Sequence, residues 1–292
     1  MHTALRLLAL NHSVVVLDSV SPYYSPALKR LRLRQLGAAG AVLVEGDVCN
    51  ATLVHAVLAD YAIRRVVHMA AQPGVRHSLE HPLEAVDANV RCFVVLLQAL
   101  VRANLTGTPL IYASSSSVYG LTTAAPFSET HPVNTPASVY AATKRADELL
   151  AAAFFNLHGL ASVGLRFFTV YGPLGRPDMA YYRFVDDIVH GRPITVYGRG
   201  GAIRDFTYIA DVVDGVVAAL SMNATGAEVV VCVCVYVYAY VGGQSRQRQA
   251  RAADAYIPIL EHIRAIRICH MSICVCEYMN RWSISATTGL CG

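Results

Sequence analysis

The sequence predicts an α/β fold in which a parallel sheet is covered by helices on both faces. Over roughly residues 1 to 170, short β-rich runs alternate with helical segments. The strand candidates are apolar throughout instead of alternating with polar residues, as strands buried on both faces are. A hydrophobic content of 54% over 292 residues excludes general disorder and allows one large domain, or a domain with a smaller lobe.

The elements follow in order. Residues 3 to 10 carry Leu and Ala at helical spacing, Asn11 and His12 interrupt, and Ser13 to Leu17 form an apolar run closed by Asp18. Further strands are expected at Ala41 to Glu45, Arg65 to Met69, Pro109 to Ala113 and Ser162 to Phe168, with helices near 27–36, 50–62, 84–104 and 137–158. Right-handed crossovers then give a Rossmann-type doubly wound parallel sheet, here over residues 1–170. From about 171 to 222 the pattern changes to a helix near 180–190, a strand near 194–197 and a helix near 209–221, which reads as a small, incomplete second lobe. After Asn223 the run VVVCVCVYVYAYV is two-letter alternation, followed by a polar, basic stretch. A core strand is one reading of that run. A compositional signal foreign to the fold is the reading preferred, making 223–292 a low-complexity tail.

Composition also limits function. The net charge of +4 is small and the basic residues are scattered, so the electrostatic stripe of a nucleic-acid binder is absent. The longest uncharged apolar run, Val229 to Val241, is too short to cross a bilayer as a helix, and the N-terminus lacks the order of a signal peptide, so the sequence reads as soluble. Cys49 and Cys92 lie in the main body and six other cysteines in the last quarter, a usage closer to a reducing compartment than to a disulfide scaffold. The CxC pairs at 232–234 and 274–276 lack histidine partners at zinc spacing, so no metal site is assigned.

The strongest chemical pattern is IYASSSSVYG (111–120) followed by SVYAATKRADELL (138–150). Tyr140 and Lys144 stand one helical turn apart and share a face. An ammonium near a phenol favours the phenolate, which can take a proton from an alcohol. Ser115, at a strand end, could hydrogen-bond the same oxygen. Lys29 and Lys144 are the only lysines among 24 basic residues, a weak sign that an amine matters at its site.

These stretches, with HMAAQPGVR (68–76), PFSE (126–129), LRFFTVYGPLGRPDMA (165–180) and RDFTYIADVVDG (204–215), resemble the extended short-chain dehydrogenase/reductases. Within them the similarity is to the nucleotide-sugar epimerase branch, most of all the UDP-glucuronate 4-epimerases, over about residues 1–222. The resemblance implies that Tyr140 takes the proton of the sugar C4 hydroxyl while C4 gives hydride to NAD. Ser115 would hold that oxygen, and Lys144 would support Tyr140 and the nicotinamide ribose. For NAD it implies Asp18 on the adenosine ribose, Asp47 and Val48 at adenine, Ala70, Ala71 and Gln72 beside the pyrophosphate, Asn89 as anchor of that turn, and Phe167. For the UDP-sugar it implies Ser115, Ser116, Thr169, Arg176 and Arg204, the last on the phosphates, where a guanidinium fork suits. Related dehydratases and decarboxylases carry an acidic residue just before VYG. Ser117 stands there, after Ser116, which favours epimerisation, and GRPDMA favours glucuronate over glucose.

One departure matters. The pattern opens with a strand and TGxxGFIG, whose glycines admit the pyrophosphate at a helix N-terminus, yet no glycine precedes Gly37. The family's first strand and loop are therefore expected upstream of Met1, and two interior strand edges are expected to lack partners. The alternatives are an impaired remnant that only binds nucleotide sugar or a partner, and a UDP-glucose epimerase or sugar-nucleotide dehydratase. The resemblance also implies a homodimer through helices 84–104 and 137–158. It implies a cytoplasmic location if bacterial-like, or a Golgi one with an upstream membrane anchor if plant-like.

Overall fold

The structure, a computed structural model, describes residues 1–232 apart from 108, 123–125, 196–204, 223 and 225. The order is α1 (His2–Ala9), β1 (Val15–Asp18), α2 (Pro26–Ala38), β2 (Val42–Glu45), α3 (Ala51–Asp60), β3 (Val67–His68), α4 (His77–Glu80) and α5 (Pro82–Val86). A π-helical turn (Asp87–Arg91) then leads into α6 (Cys92–Arg102), followed by β4 (Leu110–Ser115) and a single 3-10 turn (Ser116–Tyr119). The remaining elements are α7 (Val139–His158), β5 (Ser162–Phe167), β6 (Thr169–Tyr171), α8 (Ala180–Val189), β7 (Phe206–Tyr208), α9 (Ile209–Leu220) and β8 (Ala227–Cys232).

Local chemistry explains where the helices start. The Ser25, Asn50 and Ser138 side chains accept from the Leu28, Leu53 and Ala141 amides, capping α2, α3 and α7, and Pro26 occupies the first turn of α2. α7 ends on Gly159 at φ 67°, the left-handed conformation that glycine adopts without steric cost.

Every strand pairing is parallel, as expected. Four strands pair in the order β3-β4-β5-β8, and β1-β2 and β6-β7 form separate pairs. Among the described residues β1 pairs only with β2, and β3 only with β4. One face of the four-stranded sheet is covered by α3, α6 and α7, where Leu58, Phe93, Leu97 and Leu100 pack with Tyr112. On the other, Val212 and Val216 of α9 and Leu7 of α1 pack on Ile111, Val163 and Leu165.

Several sequence expectations change. β8 pairs with β5 over six residues, from Ser162↔Ala227 to Phe167↔Cys232, so the alternating run begins as a sheet strand and 227–232 does not belong to a tail. Apolar alternation on a sheet edge is read by its neighbour and not by its composition. α9 packs on the sheet, which narrows the second lobe expected over 171–222, and residues 194–195 are not strand, while 196–197 and 233–292 lie outside the described residues. The helix expected over 84–104 is interrupted by the π-helical turn. Cys49 and Cys92, whose usage in the sequence looked closer to a reducing compartment than to a disulfide scaffold, form a disulfide across 43 residues with Cα atoms 4.4 Å apart.

Gly164 lies opposite Tyr112 in the β4–β5 register, and a Cβ there would stand 2.5 Å from the buried Tyr112 ring. Gly164→Ala should therefore destabilise the fold by about 1–3 kcal/mol through overpacking. In urea unfolding, Tyr112→Leu in the same chain should recover part of that loss.

Candidate active site

Parallel sheets gather ligands at the carboxyl ends of their strands, and the candidate residues lie there. Asp18 ends β1, Asp47 and Val48 follow β2, Ala70 to Gln72 follow β3, and Ser115 and Phe167 end β4 and β5 as register partners. Thr169 opens β6 just beyond.

The turn after β3 is fixed from inside. The π-helical turn aims the buried Asn89 inward, where its Oδ1 accepts from the Gln72 amide at 2.7 Å and its Nδ2 donates to the Gln72 carbonyl at 3.2 Å. The same Nδ2 donates to Thr143 Oγ1 at 3.0 Å, and Thr143 donates onward to the Tyr140 carbonyl at 2.8 Å. A second clamp comes from Ser78, whose hydroxyl donates to the Val75 carbonyl at 2.7 Å and accepts from the Tyr140 amide at 3.0 Å. Tyr140 is thus held by its backbone at both ends while its side chain stays half-buried.

Lys144 is buried, and its Nζ donates to Asp147 Oδ2 at 3.1 Å. Burial pushes the Asp147 carboxyl up to about 6 although the Lys144 charge pulls it down, and Asp147 Oδ1 has no hydrogen-bond partner. His68 is held neutral, down at about 3, first by burial and then by the Lys144 charge. Ser115 Oγ accepts from the Ser117 amide at 3.2 Å, which starts the turn carrying Ser116.

Behind this edge lies an interior charge network. Arg166 places Nε and Nη2 on the two oxygens of Glu148, each at 2.8 Å, while Ser114 donates to Glu148 at 2.6 Å. Burial raises the Glu148 carboxyl, but hydrogen bonds from Arg166, Ser114 and Arg145 and the Arg166 charge outweigh it and hold it low. Arg166 Nη1 also donates to the Tyr119 hydroxyl at 3.1 Å. Sequence reasoning missed this network and Asp147. The available signal was a lone arginine in the apolar run Ser162 to Phe168 and a glutamate on a helix otherwise facing the core.

The other candidates divide. Asp18 is exposed and its Oδ1 accepts from the Val20 amide at 2.8 Å, and Asp47 Oδ1 accepts from the Cys49 amide at 2.8 Å. Arg176 binds Asp178 through two nitrogens, at 3.0 and 2.9 Å, and Asp178 accepts from the Tyr23 hydroxyl at 3.2 Å, so this loop is tied to the β1–α2 connection. Arg204 lies outside the described residues.

Open carboxyl edges of parallel strands, a strand-end serine, and a tyrosine and lysine one turn apart on the next helix define a Rossmann-type short-chain dehydrogenase/reductase of the extended class. The chain belongs to the NAD dependent epimerase/dehydratase family, whose profile matches residues 1–232. It is 46% identical over 231 residues to UDP-glucuronate 4-epimerase 1 of Arabidopsis thaliana, covering 77% of this chain and 54% of that one. It is 42% identical to Protein CapI of Staphylococcus aureus, covering 74% and 64%. The chain thus spans about half to two-thirds of the length of the curated relatives it matches. A crystal structure of UDP-glucuronic acid 4-epimerase from Bacillus cereus, in complex with UDP-glucuronic acid and NAD, matches with a TM-score of 0.73 at 34% identity, covering 79% of this chain and 73% of that one.

The buried His68 generates a pH prediction. Its folded value lies below the ordinary 6.5, so its contribution to stability is fully present above 6.5 and is lost as pH falls towards 3. Between pH 7 and 5.5 the protein should lose about 1.3 kcal/mol more than His68→Phe, read as the difference between their urea unfolding curves. The opposing titration of Asp147 is common to both and cancels.

Proposed function

We propose that this chain carries the catalytic core of an NAD-dependent UDP-sugar 4-epimerase, with UDP-glucuronate and UDP-galacturonate as the interconverted pair. The observation that carries the reading is the pair of buried clamps, Asn89–Thr143 and Ser78, which set Tyr140 against the turn after β3. NAD, when bound, supplies the acceptor for the C4 hydride. Tyr140 removes the C4 hydroxyl proton and returns it, Ser115 holds that oxygen, and Lys144 supplies positive charge beside them. Relatives named as UDP-glucuronate 4-epimerases support the substrate, as does the GRPDMA segment, while Ser117 just before VYG, where eliminating relatives carry an acid, supports epimerisation.

The residues present fit the cofactor in part. Asp18 Oδ1 takes a backbone amide, which leaves the other carboxylate oxygen for ribose hydroxyls, and the turn of Ala70 to Gln72 is anchored at Gln72 by Asn89. For the pyrophosphate, no glycine of this chain precedes Gly37, so no backbone cradle is assigned. A second reading is that the polypeptide binds the nucleotide sugar without turning it over. Incubation with NAD and UDP-glucuronate, followed by NMR for UDP-galacturonate, separates the two. The first expects product, with Tyr140→Phe slower by about 10²- to 10⁴-fold. The second expects calorimetric binding of UDP-glucuronate with no product.

The same reading includes a homodimer. Leu79, Leu83 and Val86 before and along α5, with Leu149 on α7, are exposed apolar side chains on helices that pack side by side. A second copy covering them fits a face of this kind. Leu83→Glu with Leu149→Glu should convert a dimer to a monomer in analytical ultracentrifugation while leaving the far-UV circular dichroism unchanged. No described helix is long and apolar enough to cross a membrane.

A further inference from the structure

Cys49 and Cys92 join the loop after β2 to the start of α6. Cys49 follows Asp47 and Val48 in the loop after β2, beside the cap of α3, and Cys92 opens α6 where the π-helical turn ends. Their Cα atoms stand 4.4 Å apart, within the range a disulfide spans. The closeness does not depend on the bond alone, because α3 and α6 already pack through Val54, Leu58, Phe93 and Leu97.

The two sulfurs differ in surroundings. Cys49 is half-buried beside the exposed Asp47, whereas Cys92 is 1% exposed. A buried thiol left without a partner would cost stability, yet here one is ready, since the Asp87 carbonyl oxygen lies 3.0 Å from Cys92 Sγ and can accept its S–H. The interior therefore accommodates Cys92 both bonded to Cys49 and as a free thiol.

From this we infer that Cys49 and Cys92 form a reversible dithiol–disulfide site, exchanging with small-molecule disulfides of the glutathione class and fastening the Asp47–Val48 loop to the start of α6 when oxidised. In oxidation, the Cys49 thiolate attacks oxidised glutathione, forming a mixed disulfide and releasing one glutathione thiolate. Cys92 sulfur then attacks the Cys49 sulfur and releases the second. Two thiol protons leave to solvent and two electrons reduce the glutathione disulfide. In reduction the same steps run backwards, and Cys92 regains its S–H for the Asp87 carbonyl. The inference is independent of turnover, since it concerns thiol chemistry and loop motion alone.

The full chain, equilibrated in glutathione buffers of graded ratio, is quenched, alkylated and digested with trypsin. Peptides 35–64 and 92–102, which hold Cys49 and Cys92, should become linked in parallel, as one two-electron couple. In the oxidised form amide exchange over 46–50 should slow about tenfold relative to the reduced form. Cys49→Ser, a small change at a half-buried position, should leave Cys92 unlinked and abolish that difference. Alkylation of Cys49 in every buffer, linkage of either cysteine to one of the six later ones, or equal exchange in both forms would overturn the inference. So would one zinc retained per reduced chain and lost in Cys49→Ser, because Asp47 with both sulfurs would then be a metal site.

Discussion

The side-chain amide of Asn89 meets a backbone amide, a backbone carbonyl and a hydroxyl that would each be costly to bury alone. By satisfying all three it fixes the distance between the turn after β3 and the first turn of α7, and so decides where Tyr140 stands. The π-helical turn makes this possible, since the extra residue in that turn rotates Asn89 towards the interior. Removing the amide would leave the Gln72 groups unpaired and release α7 from the turn, so the position of the phenol and the integrity of the interior share one cause.

Two buried ion pairs sit one residue apart on α7 and play different parts. Glu148 is surrounded by donors from β4, β5 and its own helix, so both oxygens are satisfied. Such a pair contributes through being complete: loss of one partner strands a charge in the interior, typically at about 3–5 kcal/mol. Asp147 is the opposite case, with one oxygen on Lys144 and the other orphaned. Its pairing is thus half complete, with a single oxygen on the ammonium of Lys144.

Much of this was legible in the sequence. Apolar runs located β1 to β5, and serine, tyrosine and lysine at their spacings located the edge where chemistry is expected, because strand ends and helix turns are local properties. What stayed hidden depends on neighbours distant in the chain. β8 looked like low-complexity alternation until β5 supplied its partner. Arg166 and Glu148 were separate oddities in an apolar strand and an apolar helix until the fold brought them to 2.8 Å. α9 looked like part of a second lobe because its apolar face could not reveal that its partner was the sheet. The cysteines at 49 and 92 gave no spacing signal, since only the packing of α3 on α6 brings them together.

The division between the β1–β2 pair and the four-stranded sheet bears on how cooperatively the protein opens. No ladder hydrogen bonds cross from β1 to β3 among the described residues, so the two sheet segments communicate through side chains. Leu17 and Val48 reach the cluster built by α3, α6 and β4. Besides these apolar contacts, the Cys49–Cys92 disulfide ties the loop after β2 to the start of α6, and Tyr23 donates to Asp178. The coupling between the two sheet segments therefore runs through side chains and one cross-link, so a change at Leu17, Val48 or Cys49 is felt by the cluster under β4 without passing through a strand ladder.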